Sequence, residues 1–277
     1  MNIAVLSGKG GTGKTTISTN LSLLLKANYI DCDVEEPNGF IFLKPEKTLE
    51  KEVEIEVPEI DKEKCILCGD CVTTCKFNAL AKSKDRIILF DKLCHSCGAC
   101  ELACPSGAIE YIKRATGIIE EGKKDKILCK RGMLNIGEPM AVPILKELLK
   151  DLPKEDTNIL DSPPGTSCNV VNTLHYADKA ILVTEPTAFG LHDLKMAVEL
   201  VRGFNIPFGL IINKYDEKNQ YLKEYIEEEK LTLLGTIPYK REIAESYSKG
   251  ETLIDIVEYK EAFQKIIENI EEVLLWD

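Results

Sequence analysis

Asn2-Ile3-Ala4-Val5-Leu6-Ser7-Gly8-Lys9-Gly10-Gly11-Thr12-Gly13-Lys14-Thr15 decides how this chain is read. Residues 2–6 form a short apolar run of the kind that makes a buried strand. Gly8 to Thr15 satisfies G-x-x-x-x-G-K-[ST]. Its glycines let the backbone curl so that successive N–H groups face one anion, and a following helix turns its N-terminus to the same point. In such a loop Lys14 reaches the β- and γ-phosphates and the Thr15 hydroxyl ligates Mg²⁺. The bland alternative is a chance glycine-rich turn, which requires neither the strand before it nor a helix after it. Helical spacing does follow, with Ile17, Leu21, Leu24 and Leu25 recurring between Thr15 and Lys26.

Working outward, Tyr29-Ile30 leads into Asp31-Cys32-Asp33, a second strand with acids at its C-terminal end. Strand, loop, helix, strand is a βαβ unit. Strands expected at 158–161, 179–184, 208–212 and 231–237 alternate with helices at 139–151, 190–203, 220–229 and 240–249. That alternation gives an α/β fold, a doubly wound, mostly parallel sheet. Residues 52–57, Glu-Val-Glu-Ile-Glu-Val, read as a half-exposed strand with an acidic outer face. Residues 114–132 are rich in Gly and Lys and are expected to form hairpin and loop. Over 259–275, Tyr259, Phe263, Ile266, Ile267, Ile270 and Leu274 share one helical face. A membrane anchor would want Lys and Arg opposite; from Glu258 onward there are six acids and two lysines, so a helix docked on the core is expected.

The 277 residues are 44% hydrophobic and 29% charged, an ordinary globular composition. Net charge is 35 − 46 = −11, which argues against sequence-independent nucleic-acid binding. No apolar run approaches the roughly 20 residues of a membrane span. The N-terminus lacks a basic n-region and a small-residue cleavage site, so a cytoplasmic protein without membrane association is expected.

Eleven cysteines are many for a reducing compartment. Eight fall in two runs, Cys65-Cys68-Cys71-Cys75 and Cys94-Cys97-Cys100-Cys104, which repeat at an interval of 29 residues. Each run is C-x2-C-x2-C-x3-C, the spacing of bacterial two-cluster ferredoxins, in which the fourth cysteine serves the other cluster. Cys65, Cys68, Cys71 and Cys104 are thus expected to hold one [4Fe–4S] cluster, and Cys94, Cys97, Cys100 and Cys75 the second. Pro105 follows Cys104 as the pattern wants; Lys76 after Cys75 departs from it. Zinc is the alternative, but zinc sites pair cysteines across longer gaps. Ile87, Ile88, Leu89 and Phe90, between the runs, supply apolar packing. Residues 61–113 hold 8 basic and 7 acidic side chains, and the remainder 27 and 39. This shift marks a small inserted α+β, bacterial-ferredoxin-like domain at 61–113, between two parts of the host at 1–60 and 114–277. The histidines, His95, His175 and His192, lack ligand-spaced partners and receive no role.

Lys9-Gly10-Gly11-Thr12-Gly13-Lys14-Thr15 resembles the deviant Walker A loop of the MinD/ParA/Mrp/nitrogenase-iron-protein ATPases. The resemblance implies ATP and ADP as ligands, with Gly8, Gly10, Gly11, Thr12, Gly13, Lys14, Thr15 and Thr16 as the nucleotide loop. It also implies a homodimer that sandwiches nucleotide, Lys9 crossing to the partner's site. Asp31-Cys32-Asp33-Val34-Glu35-Glu36-Pro37-Asn38 resembles that family's switch I, which places Asp33 at the attacking water and Asp31 near Mg²⁺. Asp161-Ser162-Pro163-Pro164-Gly165-Thr166 resembles Walker B and switch II, with Asp161 toward Mg²⁺ and the Gly165 N–H toward the γ-phosphate. A strand-end capping acid is the plainer reading of Asp31 or Asp33 taken singly. Asn213 resembles the adenine-reading Asn, with Pro238 nearby. The chain as a whole resembles MinD-superfamily ATPases with an inserted ferredoxin domain.

Three cysteines remain. Cys32 should be a buried inert thiol. Cys129, in a Gly-rich loop, and Cys168, just past switch II, are similar in placement to the two cysteines by which each nitrogenase iron protein protomer holds a [4Fe–4S] cluster across the dimer axis. A third, bridging cluster is one reading and two unrelated thiols the other. The function expected is ATP binding and hydrolysis in which dimer closure gates electron transfer through the ferredoxin clusters to a redox partner. The alternative is an Mrp-type carrier that delivers Fe–S clusters to an acceptor protein. A MinD-like spatial organiser is a third class, disfavoured by the acidic C-terminal helix.

Overall fold

The structure is a computed structural model and describes residues 1–216 and 222–272. In chain order the elements are β1 (Asn2–Leu6), α1 (Lys14–Leu25), β2 (Asn28–Asp31), α2 (Gly39–Leu43), β3 (Glu46–Ile60), α3 (Asp70–Thr74), β4 (Leu80–Lys82), β5 (Ile87–Leu89), α4 (Ala99–Leu102), β6 (Ile109–Lys124) and β7 (Ile127–Leu134). They continue as α5 (Val142–Leu149), β8 (Asn158–Asp161), α6 (Cys168–Leu174), β9 (Lys179–Thr184), α7 (Ala188–Gly203), β10 (Phe208–Tyr215), α8 (Lys223–Glu228), β11 (Leu233–Pro238), α9 (Arg241–Ser248) and α10 (Val257–Ile270).

Nine strands make the main sheet, in the order β11-β10-β9-β1-β8-β2-β7-β6-β3. From β11 to β7 every pairing is parallel. These inner strands are near-continuous apolar runs because helices cover both faces. On one face Ile144, Leu148, Val170, Leu194 and Val198 pack over the sheet; on the other lie Ile17, Leu21, Phe263 and Ile266. This is the doubly wound arrangement that the alternating pattern predicts. The C-terminal helix docks on the core: Tyr259, Phe263, Ile266 and Ile270 are buried among residues of β1, β9, β10 and β11. The remainder of that expected helix, including Leu274, lies outside the described residues, as do the first residues of the helix expected at 220–229.

Two expectations change at the β7 edge. The stretch 114–132 does form the expected hairpin, β6 with β7 across a turn at 125–126, but the rest of it is strand rather than loop. Ile119, Ile127 and Cys129 face the core, and Gly117 and Gly132 let Ile144 pack closely on the strands, so sheet pairing outweighs the local composition. The expected boundary at 113 falls inside β6, which begins at Ile109 and pairs along its length with β3. Chain leaving this ribbon after Ile60 returns at Ile109. On it sit the two-stranded β4–β5 sheet and the two short helices α3 and α4. In β3, Val53, Ile55 and Val57 are buried while the intervening glutamates are exposed, as the alternation dictates. No helix among the described residues is long and apolar enough to cross a membrane.

Phe263 is fully buried at the centre of the α10 contact. Phe263→Ala should lower unfolding stability by about 3–5 kcal/mol, read as a lower denaturation midpoint at unchanged slope. A loss under about 1 kcal/mol would mean that α10 is not part of the cooperative core.

Candidate nucleotide site and thiol cavities

The phosphate loop connects β1 to α1 and opens on a cleft of about 430 Å³, within the range of small-molecule sites. Its lining includes Gly10, Gly11, Gly13, Lys14, Thr15, Thr16, Asp33 and Asn213. The α1 N-terminus carries no side-chain cap, leaving its first N–H groups for an anion. Thr12 Oγ1 and Ser162 Oγ are buried without a hydrogen-bond partner, a vacancy that phosphate oxygens or metal-bound water would satisfy.

Asp31 and Asp161 are register partners on β2 and β8, and both are fully buried. The Tyr29 hydroxyl lies 2.8 Å from Asp161 and 3.2 Å from Asp31. Ser18 Oγ donates to Asp161 at 3.0 Å, and the Gly39 N–H donates to Asp31 at 2.9 Å. Gly39 is required there, since a Cβ would fall 2.0 Å from Tyr29 Oη. Burial holds both carboxyls above their usual range; Asp161 raises Asp31 further, while Lys14 pulls Asp161 down. Two buried acids beside a threonine hydroxyl, with one lysine to compensate them, suit a hard divalent cation. Burial pushes Asp33 up to about 6 against the pull of Lys14.

Lys9 does not point into open solvent. Its ammonium pairs with Glu185, just past β9, and Lys214 holds the same carboxylate at 3.1 Å while donating to the Gly11 carbonyl at 2.7 Å. Burial would raise Glu185, but the two lysines outweigh it and hold it below the usual range. Asn213 Nδ2 donates to the Thr12 carbonyl at 2.7 Å, tying β10 to the phosphate loop. Gly165 lies close to the loop, but its N–H donates to the Ser7 carbonyl at 2.9 Å rather than into the cleft. Pro238 ends β11 without lining the cleft; Tyr239, Lys240, Ile243 and Tyr247 line it instead. Sequence reasoning missed Tyr29, Ser18, Gly39, Glu185 and these C-terminal lining residues. Only Tyr29 carried a signal, lying two residues before Asp31 and so on the same strand face.

The eight motif cysteines divide by fours. Cys65, Cys68, Cys71 and Cys104 line one small cavity, with Ile60, Ile87 and Ile109 around them. Cys75, Cys94, Cys97 and Cys100 line a second, with Phe77, His95 and Tyr111. The division crosses the two runs. Cys68 and Cys97 are exposed, and the other six are buried or partly buried. Among the described residues no three His, Cys, Asp or Glu side chains converge closely enough to hold a single metal ion. Tetrahedral zinc, with Zn–S bonds of about 2.3 Å, would need such convergence. In a cubane each thiolate would bind a different iron, so four cysteines around one cavity need not converge on a single ion. The Ala79 N–H donates to Cys75 Sγ at 3.4 Å and the Ala108 N–H to Cys104 Sγ at 3.3 Å; the second bond holds the Cys104 thiol below its usual range.

The two cysteines of the bridging-cluster expectation lie in different surroundings. Cys129 lies on β7 beside Tyr29 of β2, fully buried with Leu43 and Ile127, whereas Cys168 is exposed at the start of α6. Strand alternation turns the Cys129 sulfur into the core. Cys32 is buried as expected.

A phosphate loop at the C-terminal end of the interior strand β1 of a doubly wound parallel sheet, with acids at the ends of β8 and β2, defines a P-loop nucleotide-binding protein. The chain belongs to the CobQ/CobB/MinD/ParA nucleotide-binding domain family, matched over residues 3–254. It is 37% identical over 283 aligned residues to an uncharacterized protein of Methanocaldococcus jannaschii, covering 100% of this chain and 98% of that one. It is 28% identical to the iron-sulfur cluster carrier protein of Aquifex aeolicus, over 91% of this chain and 61% of the carrier. The fold is that of the septum site-determining protein MinD of Pyrococcus horikoshii, solved with Mg-ADP, at a TM-score of 0.59 and 21% identity over 99% of this chain and 95% of that one.

Burial pushes the Cys129 thiol up to about 12, so almost none of it is thiolate at pH 8. Iodoacetamide on the native protein at that pH should label Cys168 and spare Cys129 and Cys32, read by peptide mass spectrometry. Labelling of Cys129 at the rate of Cys168 would contradict the placement of β7.

Proposed function

We propose that this chain binds and hydrolyses ATP as a homodimer, and that nucleotide-driven closure of the dimer gates electron transfer through two [4Fe–4S] clusters to a partner protein. The observation that carries the reading is the crossed division of eight cysteines between two cavities, on a ribbon continuous with the sheet that bears the nucleotide cleft. The geometry of the nucleotide side suits the rest. Lys14 and the bare α1 N-terminus would hold the phosphates, and Thr15, Asp31 and Asp161 would hold Mg²⁺. Asp33, at the cleft wall, would orient the attacking water. Lys9 would leave Glu185 to reach the partner's nucleotide, and the Gly165 N–H would leave the Ser7 carbonyl to meet the γ-phosphate. Clusters held by the two quartets would supply one-electron chemistry.

A second reading is cluster delivery to an acceptor protein. It is favoured by the relatives named iron-sulfur cluster carriers and by the exposure of Cys68 and Cys97, which would leave one edge of each cluster accessible.

Anaerobically purified protein should contain about eight iron atoms per chain, unchanged in Cys129→Ser and Cys168→Ser variants. Its dithionite-reduced EPR signals should shift with Mg-ATP. Signals indifferent to nucleotide, together with loss of cluster to an apo-acceptor, would put delivery in place of gated transfer.

The kcat/KM for ATP hydrolysis reports ionisations of the free protein. With Asp33 required as its carboxylate and titrating at about 6, kcat/KM should fall about tenfold per pH unit below that value and level off above it. A rate flat from pH 5 to 8 would remove Asp33 from the role.

A further inference from the structure

The two thiol cavities differ in what touches them. The first is lined by residues 60–71, 87 and 104–109, all from the segment that carries the cysteines or from the strand ends that bear it. A loop of the host, residues 135–141 between β7 and α5, packs beside the second without lining it. Met140 of this loop packs in one apolar cluster with Cys75 and Cys94. Its Gly137 carbonyl accepts from Lys92 Nζ at 3.0 Å. Its Glu138, buried, forms a two-pronged pair with Arg114 of β6, the second prong 3.2 Å long. Arg114 Nε in turn lies 3.9 Å from Asp91. Lys92 and Asp91 lie two and three residues before Cys94, so the loop meets this thiol-bearing segment directly at Lys92, by way of Arg114 at Asp91, and through the apolar cluster that holds Cys94.

The other end of that loop is tied to the nucleotide cleft. Asp33 lines the cleft, and Val34 beside it is buried. The Val34 carbonyl accepts the N–H of Leu134, the last residue of β7, at 2.9 Å. Val34 also fills the space above Gly132: a Cβ there would stand 2.7 Å from Val34 Cγ1 and 2.6 Å from Ile144 Cγ2. Such a contact has no slack, and close-packed interiors pass a displacement on rather than absorb it. Asn135, next in the chain, is held to β6 by its N–H on the Thr116 carbonyl at 2.9 Å.

We propose that a nucleotide-dependent movement of Asp33-Val34 is carried through the end of β7 and the 135–141 loop to the second thiol cavity, with Glu138 and Arg114 as positioning residues, while the first cavity is left uncoupled. The inference rests on the gating reading above and names which of its two clusters responds. The physical warrant is a connected run of contacts from the cleft wall to Cys94, buried at Val34, Gly132 and Glu138 and exposed at Gly137 and Lys92.

The test uses the full chain with its iron, Mg²⁺ and a non-hydrolysable ATP analogue. Hydrogen exchange should change on nucleotide addition in 132–141 and 91–97 and stay constant in 61–72. Redox-titrated EPR should show one of two clusters shifting, assigned to the second cavity because Cys68→Ser alters the other signal. Glu138→Gln and Arg114→Lys should keep iron content and nucleotide affinity and lose the shift. Should either fail to fold, Lys92→Ala removes an exposed contact of the same route and should weaken the shift. A shift that persists undiminished in the folded variants, or that falls on the first cluster, overturns this inference alone. A wild-type chain in which neither cluster responds overturns the gating reading and this inference together.

Discussion

β2 and β8 are parallel neighbours in a register that sets Asp31 directly beside Asp161. Much of the site follows from that pairing. Two carboxylates at buried strand ends lose water, which holds each above its ordinary range, and the charge of Asp161 raises Asp31 further. The surrounding residues answer this imbalance. Tyr29 stands between the acids, Ser18 comes from the first turns of α1, and Gly39 brings a backbone N–H that no larger residue could bring so close to Tyr29. Lys14 supplies the nearby positive charge. What remains uncompensated is what a divalent cation with a polyphosphate would complete, so the fold keeps this corner electrostatically unfinished and its geometry fixed.

The antiparallel edge extends the same sheet for a different purpose. β3 and β6 are 15 and 16 residues long, far beyond the parallel strands they join. Near β7 they present Val53 and Ile119 to the main core; farther out, Ile55 and Val57 belong to the small core that includes Cys94. One pair of strands thus carries both cores, and no flexible linker separates the cysteine-bearing segment from the nucleotide domain. An exposed edge strand this long invites pairing with other chains, and the glutamates alternating along β3 discourage it.

How much of this was legible in the sequence depended on the range of the interaction. Gly8–Thr15 is local: backbone freedom, one lysine and one hydroxyl act within eight residues, and the structure places them around the cleft. The cysteine quartets were legible because the spacing within each run encodes a crossed partition, and residues as far apart as Cys65 and Cys104 do line one cavity. Cys129 misled for the same reason that the stretch 114–132 did. Its neighbours Lys130-Arg131-Gly132 suggest a loop, but pairing of β7 with both β2 and β6 overrides local preference and turns the sulfur inward. Glu185 and Tyr239 carried no signal, since their roles come from tertiary placement beside Lys9 and beside the cleft.

The Lys9–Glu185 pair shows how a weak contact fits a switching site. The Lys9 side chain keeps about a third of its surface in solvent, and a partly exposed ion pair contributes about 0–1 kcal/mol. Such a contact orders the lysine without committing it. Lys214 bonds the same carboxylate and also the Gly11 carbonyl, so Glu185 remains neutralised and the phosphate loop remains anchored when Lys9 departs. Without Lys214, release of Lys9 would strand a largely buried carboxylate, at the several kcal/mol expected for a buried charge deprived of its partner. On the proposed reading, the second lysine would keep departure of the first inexpensive, and Lys214 at the cleft wall would set how readily Lys9 is released.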